Sequence, residues 1–214
     1  MPEIYLATAL EADGPIPGPH SMLSLASAAY QRDKTLVSTF TVNLEELPDA
    51  KPNPDTLAWW KSKPEAWQRC RENPEPAGPA IREYAQWLDH LPGRPVYVGY
   101  PAASDYAFVT WYLHRFADRN PFGRGAMDLR TFAMALLHKP YHQSKTRHMP
   151  DDWYADAKPH TFVALDDALA IGQLLCHMLD VWNAMPAHPD VEPPEPPTPH
   201  AMDTHDTIPL KDPA

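Results

Sequence analysis

Residues 3–30 read EIYLATALEADGPIPGPHSMLSLASAAY, and this stretch decides the fold. Its first part, residues 4–10, is a short apolar run of the kind that forms a buried strand. Asp13, Gly14 and three prolines then break the run, which indicates an ordered, turn-rich loop. The apolar residues 22–30 that follow predict a second strand.

The rest of the chain extends this beginning into a mixture of strands and helices. Residues 34–43 predict a third strand, which a hairpin-length connection joins to the second. From Pro54 the apolar spacing becomes helical, and residues 94–100 (RPVYVGY) then predict a core strand. Further helices are predicted over 105–117, 127–138 and 164–182. This order predicts one α/β domain with a mixed sheet.

Composition divides the chain into a body and a tail. Residues 184–214 hold nine of the 27 prolines and no apolar period, so we predict a folded domain at 1–183 and a disordered tail at 184–214. The net charge is −10, but the tail carries six carboxylates against one lysine. Because half of the net charge lies in the tail, the acidic composition does not exclude a nucleic-acid partner. The tail could also dock a protein partner.

Cellular location is predicted from what the sequence lacks. The chain has no apolar run long enough to cross a membrane and no secretory signal pattern at its start, so we expect no membrane association. Cys70 and Cys176 stand alone and form no CxxC pair, which favours the reducing cytoplasm.

Carboxylates stand near the ends of several predicted core elements. Glu11 ends the first strand, and Asp105 opens a helix after the strand at 94–100. Asp166 and Asp167 lie near the start of the last helix. Side chains from three such segments can converge at one sheet edge and bind hard divalent cations. Each aspartate could equally be a helix-start residue that favours the helix dipole, as we expect for Asp128.

Taken together, three segments resemble the motifs of DEDD-type 3′→5′ exonucleases, on the side of RNase T and oligoribonuclease. The segments are ALEADGPIPGPHSMLSLASAAY, VYVGYPAASDYAFVTWYLHRF and PHTFVALDDALAIGQLL, in the family's order over residues 3–182. The resemblance implies an RNase H-like α/β fold, with a mixed five-stranded sheet and helices on both faces. It implies stepwise removal of nucleotides from a 3′ end. Carried over by position, it implies that Glu11, Asp105 and Asp167 are metal ligands and catalytic residues.

Two positions depart from the pattern of the DEDDh subclass. The first aspartate of the family should stand two residues before Glu11, where this chain has Ala9. The general-base histidine should stand five residues before Asp167, where this chain has Phe162. Reading Asp166 as the final ligand gives the spacing of the tyrosine subclass, but Phe162 has no hydroxyl. His160 is the nearest histidine that could substitute.

These departures bear on a two-metal mechanism. In the family, two Mg²⁺ or Mn²⁺ ions about 4 Å apart hold the attacking and leaving oxygens of a phosphodiester. Alanine cannot bridge the ions, and phenylalanine cannot take a proton from water. We therefore expect weakened metal binding and crippled catalysis. Both a natural pseudo-nuclease and a deliberately disabled parent account for such a sequence.

Substrate contacts are predicted at two places. The resemblance implies that the 3′-terminal nucleotide lies against the end of the first strand, near Leu10, Gly14, His20 and Met22; a rigid turn is the alternative interpretation of residues 13–20. The long segment 138–161 carries Lys145 and Arg147, which could contact phosphates. Several aromatic residues could stack bases: Trp59, Trp60, Trp67, Trp111 and Tyr112. Of these, we expect Trp67 and Trp111 to lie in the core.

The sequence thus supports two classes of function. The first is an exonuclease-fold enzyme, impaired by Ala9 and Phe162, that acts on single-stranded nucleic acid with a free 3′ end, RNA being favoured over DNA. The second is a non-catalytic module that binds 3′ ends or a protein partner. The sequence is compatible with a homodimer in either case.

Overall fold

A computed structural model describes residues 1–154 and 161–186 of the chain. Its centre is a five-stranded sheet in the order β3-β2-β1-β4-β5. Strands β1, β2 and β3 pair antiparallel, whereas β4 runs parallel to both β1 and β5. The prediction of a mixed five-stranded sheet is confirmed. The strand bounds are β1 Glu3–Ala12, β2 Met22–Gln31, β3 Leu36–Asn43, β4 Arg94–Gly99 and β5 Met127–Asp128.

Helices cover both faces of this sheet, as expected. One face packs against α3 and α4, and the other packs against α5 and α6. The shorter helices α1 and α2 lie beside the end of β1, where Trp60 of α1 donates its indole N–H to the Ala12 carbonyl. The helix bounds are α1 Pro54–Lys61, α2 Pro64–Cys70, α3 Ala77–Asp89, α4 Ala102–Ala117, α5 Leu129–Leu137 and α6 Ala164–Ala184.

The central strand β1 is apolar along most of its length because both of its faces are covered. Ile4 and Leu6 face the layer of α3 and α4, whereas Ala7 and Ala9 face the layer of α5 and α6. Successive side chains of a strand point to opposite faces, so Ala9 and Glu11 belong to the same face. The strand thus directs Glu11 toward the side of the sheet that carries α6.

Helix starts follow simple capping chemistry. The Asn53 side chain accepts hydrogen bonds from the first backbone N–H groups of α1. Asp128 caps α5 by accepting from the Thr131 N–H at 2.7 Å, and its other carboxylate oxygen accepts from the Ala102 N–H at the start of α4. The prediction that Asp128 is a helix-start residue is confirmed, and this residue also ties α4 to α5.

The segment after α5 is more ordered than a plain loop. It contains three short 3₁₀ helices, Tyr141–Gln143, Thr146–His148 and Asp151–Tyr154, and it buries Met149 and Trp153 against the layer of α6. Apolar anchors spaced along the segment hold it to the domain. Residues 155–160, including His160, lie outside the described part of the chain.

The predicted domain boundary falls next to the end of α6, which continues to Ala184. Most of the tail, residues 187–214, lies outside the described residues, so its predicted disorder stays a prediction. No helix in the described ranges has the length and apolar character needed to cross a membrane.

A chain of buried hydroxyl groups joins the sheet to α3. The hydroxyls of Thr8 and Ser27 lie 2.8 Å apart, and Ser27 is also 2.8 Å from the Tyr84 hydroxyl. All three side chains are fully buried. Tyr97 is equally buried, but its hydroxyl has no hydrogen-bond partner within the described residues.

We therefore predict opposite effects for two conservative substitutions. Tyr84→Phe should lower the free energy of unfolding by about 1–2 kcal/mol, because it removes a hydrogen bond from a buried network. The matched control Tyr97→Phe removes a hydroxyl without a protein partner and should leave stability unchanged or raise it. Urea unfolding followed by circular dichroism measures both, and equal losses would contradict this account.

Candidate functional site

Three carboxylates lie near the end of β1, where Asp167 and Asp105 act electrostatically on Glu11. Glu11 lies beside a β-bulge in the pairing of β1 with β2, and Asp105 and Asp167 are each the fourth residue of their helices, α4 and α6. Parallel pairing of β1 with β4 brings the start of α4 to the same sheet edge as Glu11. The first turn of a helix favours negative charge, so two helix starts surround the strand end.

The electrostatics of the site reflect this convergence. Burial, followed by the charges of Asp167 and Asp105, raises the pKa of Glu11 from 4.5 to about 8. Burial also raises the pKa of Asp105 to about 6, although a hydrogen bond from the Ser104 hydroxyl opposes this shift. Each of the three side chains keeps part of its surface exposed. Like charges held close together favour either protonation or a bound cation.

The donor set falls short of a two-metal centre. The neighbour of Glu11 on the same face is Ala9, which is buried and pairs with Ala26. Within residues 1–154 and 161–186, no three metal-ligating side chains stand close enough to hold an ion as they are. Glu11, Asp105 and Asp167 without a ligand at position 9 therefore do not fit a site for two metals.

Phe162 is held in a defined position just before α6. Its backbone is left-handed, with a φ of 57°, a region that most side chains avoid. Its ring lies 5.3 Å from the Trp59 ring in an edge-to-face arrangement, and the Lys63 ammonium lies 5.5 Å from the centre of the Phe162 ring. The described residues near Glu11 therefore offer an aromatic ring where the resemblance implies a proton acceptor.

The aromatic cluster of α1 and α2 borders the carboxylates. Trp60 is fully buried and packs with Cys70, while Trp67 and Phe162 are partly buried against the same cluster. Burial, and next the charge of Glu11, raises the pKa of the Cys70 thiol to about 12. Trp67 and Trp111, which we expected in the core, are partly buried and pack against the core clusters.

The turn after β1 is rigid. Asp13 is buried, and its carboxylate accepts a 2.6 Å hydrogen bond from the Ser21 N–H. The His20 ring lies so close to Gly14 that an added Cβ would stand 2.0 Å from it, so only glycine fits there. Two of the four predicted substrate contacts, Gly14 and His20, are thus packed against each other.

The other two predicted contacts in this region differ from each other. Leu10 is partly exposed at the end of β1. Met22 is fully buried, and its N–H donates to the Tyr112 hydroxyl. A direct contact between Met22 and a ligand would require the core to open, so we correct that expectation and assign Met22 to the core.

Lys145 and Arg147 are exposed near the end of β4. The N–H of Thr146, which lies between them, donates to the Tyr100 hydroxyl at 2.8 Å. Tyr100 directly follows β4 and precedes the helix that carries Asp105. The backbone between the two basic residues is therefore tied to the end of β4, the strand that precedes α4.

The comparisons with known proteins point the same way. No family model matches the sequence. A structural relative is the nuclease domain of 3′hExo, a DEDDh family member bound to rAMP, with a TM-score of 0.62 at 12% identity over 83% of this chain and 91% of that one. The chain has the fold of the DEDDh 3′-exonucleases.

Two further relatives of this exonuclease fold extend the comparison. The 3′-5′ DNA exonuclease Cap18 of Escherichia coli is 25% identical over 148 residues, which is 67% of this chain and 75% of Cap18. S. pombe Pop2p, in a Mg²⁺- and Mn²⁺-bound form, has a TM-score of 0.58 at 12% identity, and the match covers 82% of each chain. The site at the end of β1 thus belongs to a fold whose relatives include 3′-5′ exonucleases.

Some features of this exonuclease fold could not be recognised in the sequence. The sequence alone does not identify Lys63, because it does not show that α2 begins beside the turn before α6. Trp59 and Trp60 are adjacent and equivalent by composition, yet Trp60 is buried and Trp59 is exposed. Helical periodicity separates their two faces only once the position of the core is known.

The raised pKa of Glu11 gives a prediction about stability. In cation-free buffer, the Glu11 carboxyl has a pKa of about 8 in the folded chain and 4.5 in the unfolded chain. Between these two values the folded chain keeps a proton that the unfolded chain has released. The parent should therefore lose stability relative to Glu11→Gln as the pH rises through this interval, and the difference should level off above it. Thermal melts from pH 5 to 9 in the presence of a chelator measure this difference.

The control for this measurement is Glu83→Gln, which removes an exposed carboxylate of α3. Its melting temperature should follow that of the parent across the whole pH range. A constant offset between Glu11→Gln and the parent would mean that neither burial nor the neighbouring carboxylates raise the pKa of Glu11 in the folded chain.

Proposed function

We propose that the chain binds single-stranded nucleic acid at a free 3′ end and hydrolyses it slowly or not at all. One observation carries the proposal: Glu11 interacts with Asp105 and Asp167 at one sheet edge. The resemblance assigns Ala9 and Phe162 to the positions of a metal ligand and a base. The fold and the exonuclease relatives support the 3′-end specificity. The two missing groups support the loss of turnover.

Metal use follows from the charge of the site. Three carboxylates repel the phosphates of a nucleic acid unless a cation intervenes. We propose that Glu11, Asp105 and Asp167 hold at most one Mg²⁺ or Mn²⁺ ion, whose charge allows a terminal phosphate to approach. The Mg²⁺- and Mn²⁺-bound form of the relative Pop2p supports this choice of ions.

The sugar preference is the finer part of the proposal. The relative 3′hExo binds rAMP, which supports the expectation that RNA is favoured. Cap18 is a DNA exonuclease, which makes single-stranded DNA the natural comparison. Matched RNA and DNA oligonucleotides of one sequence therefore belong in each binding measurement.

The first test of the function restores the two missing groups. The parent should show little Mn²⁺-dependent shortening of a labelled oligonucleotide, whereas the double variant Ala9→Asp, Phe162→His should gain roughly 10²–10⁴-fold in rate. Each single change should recover much less, since ligand and base act in the same transition state. Histidine tolerates the left-handed backbone of position 162 better than most residues do.

Melting curves accompany this test, because a carboxylate at position 9 enters a buried site. Parent activity within tenfold of a folded double variant would refute the view that positions 9 and 162 are decisive.

The second test concerns phosphate contacts. The double change Lys145→Ala, Arg147→Ala should weaken binding of all sequences about equally. It should also reduce the slope of log Kd against log salt by about two, because two phosphate contacts are lost. The matched control, Arg32→Ala with Lys34→Ala, removes the same charge from the β2–β3 hairpin. That hairpin lies beside the start of β1, where Gln31 pairs with Ile4. Ile4 is seven residues from Glu11, which is about 20 Å at 3.3 Å per residue.

Fluorescence anisotropy at low and high salt measures both pairs. The control pair should keep the parent's salt slope, and a 3′-phosphate should weaken binding to the parent by crowding the terminal site. No binding at low salt, or equal effects of the two pairs, would overturn the proposal.

A further inference from the structure

An exposed aromatic surface lies near the end of β1, to which its neighbour Trp60 is hydrogen-bonded. Trp59 is 42% exposed, although it contacts the ring of the buried Trp60 at 4.8 Å and the ring of Phe162 at 5.3 Å. Lys63, which is also exposed, lies over the Phe162 ring. One cation and two aromatic rings are therefore grouped at the mouth of the site.

The structure fixes this group in place from two sides. On one side, Trp60 anchors α1 to the carbonyl of Ala12, next to Glu11. On the other side, the Thr161 hydroxyl donates to Asp166 and accepts from the Val163 N–H, which fixes the turn before α6. Phe162 lies inside that turn in a left-handed conformation that packing must sustain. Its ring is therefore held in position for contact.

Flat aromatic faces beside a cation match the chemistry of a nucleotide. Bases of any sequence stack on aromatic rings, and lysine binds phosphate as a point charge. Trp59 keeps a large exposed surface for such a contact, and the Lys63 ammonium stands 5.5 Å from the centre of the Phe162 ring. The nearby carboxylates mark where the 3′ end would lie.

We propose that Trp59, Phe162 and Lys63 form a stacking subsite for a nucleobase and phosphate of the strand whose 3′ end enters the carboxylate site. The inference rests on the proposed function and deepens it. Phe162 then contributes to binding at the position where the family's base would stand. The subsite takes single-stranded nucleic acid and reads no particular base.

The test compares normal and abasic oligonucleotides on the full-length chain. Trp59→Ala should raise the Kd of an oligonucleotide with intact bases by roughly tenfold or more, and it should change the Kd much less when the last two nucleotides are abasic. Phe162→Leu should act in the same direction, and Phe162→Tyr should retain parent affinity because the ring is kept. Lys63→Ala should reduce the slope of log Kd against log salt by about one for both the normal and the abasic oligonucleotide.

Trp182→Ala is a closely matched control. Trp182 is 44% exposed, and Arg32 lies 4.8 Å from its ring centre. It stands twenty residues after Phe162, which is about 30 Å along α6 at 1.5 Å per residue. Its removal should leave both Kd values within twofold of the parent.

The outcomes separate the subsite from the proposed function. If the parent binds no oligonucleotide, the proposed function fails and the subsite falls with it. If the parent binds but Trp59→Ala and Phe162→Leu match Trp182→Ala, or weaken normal and abasic ligands equally, only the subsite is refuted. If Trp59→Ala does not fold, the affinities of Phe162→Leu and Phe162→Tyr for the normal oligonucleotide decide the question. Equal affinities of the two variants overturn the inference. A loss of affinity confined to Phe162→Leu supports it.

Discussion

Burial of the Glu11 carboxyl beside the charges of Asp167 and Asp105 is the constraint around which this site is organised. The fold brings Glu11, Asp105 and Asp167 to one sheet edge, and burial together with the two neighbouring charges raises the pKa of Glu11 to about 8. A buried carboxylate beside like charges destabilises a folded chain once it is ionised, so the rest of the structure has to hold these side chains near one another. Pairing of β1 with β4 and the packing of α6 across β1 provide that force.

The surroundings of the carboxylates explain why the two departures are tolerated. Ala9 lies among other small residues, including Ala7 and Ala26, and needs no charged partner there. Phe162 joins the apolar cluster of α1 and α2. Where the resemblance implies an aspartate and a histidine, the chain thus has two side chains that pack, and an apolar replacement of a buried polar group can be neutral for stability.

Much of this structure is predictable from the sequence because its signals are local. Continuous apolar runs gave the strands near 4–10 and 22–30, and the strand-then-helix context of Asp105 indicated its position at a helix start. Other features depend on contacts between distant segments. The burial of Met22 requires Tyr112, ninety residues away, and the order of the segment after α5 requires Trp153 to reach the layer of α6. The exposure of Trp59 likewise depends on where α1 docks, which no sequence period specifies.

The most direct test of the central claim is a count of bound metal ions. The claim is that the carboxylates form one coupled site that lacks the ligand for a second metal. Titration of the chain with Mn²⁺, followed by electron paramagnetic resonance, gives the number of ions bound and any coupling between them. We predict at most one weakly bound ion per chain, and a second ion in Ala9→Asp. Two tightly bound, magnetically coupled ions with alanine at position 9 would contradict the account.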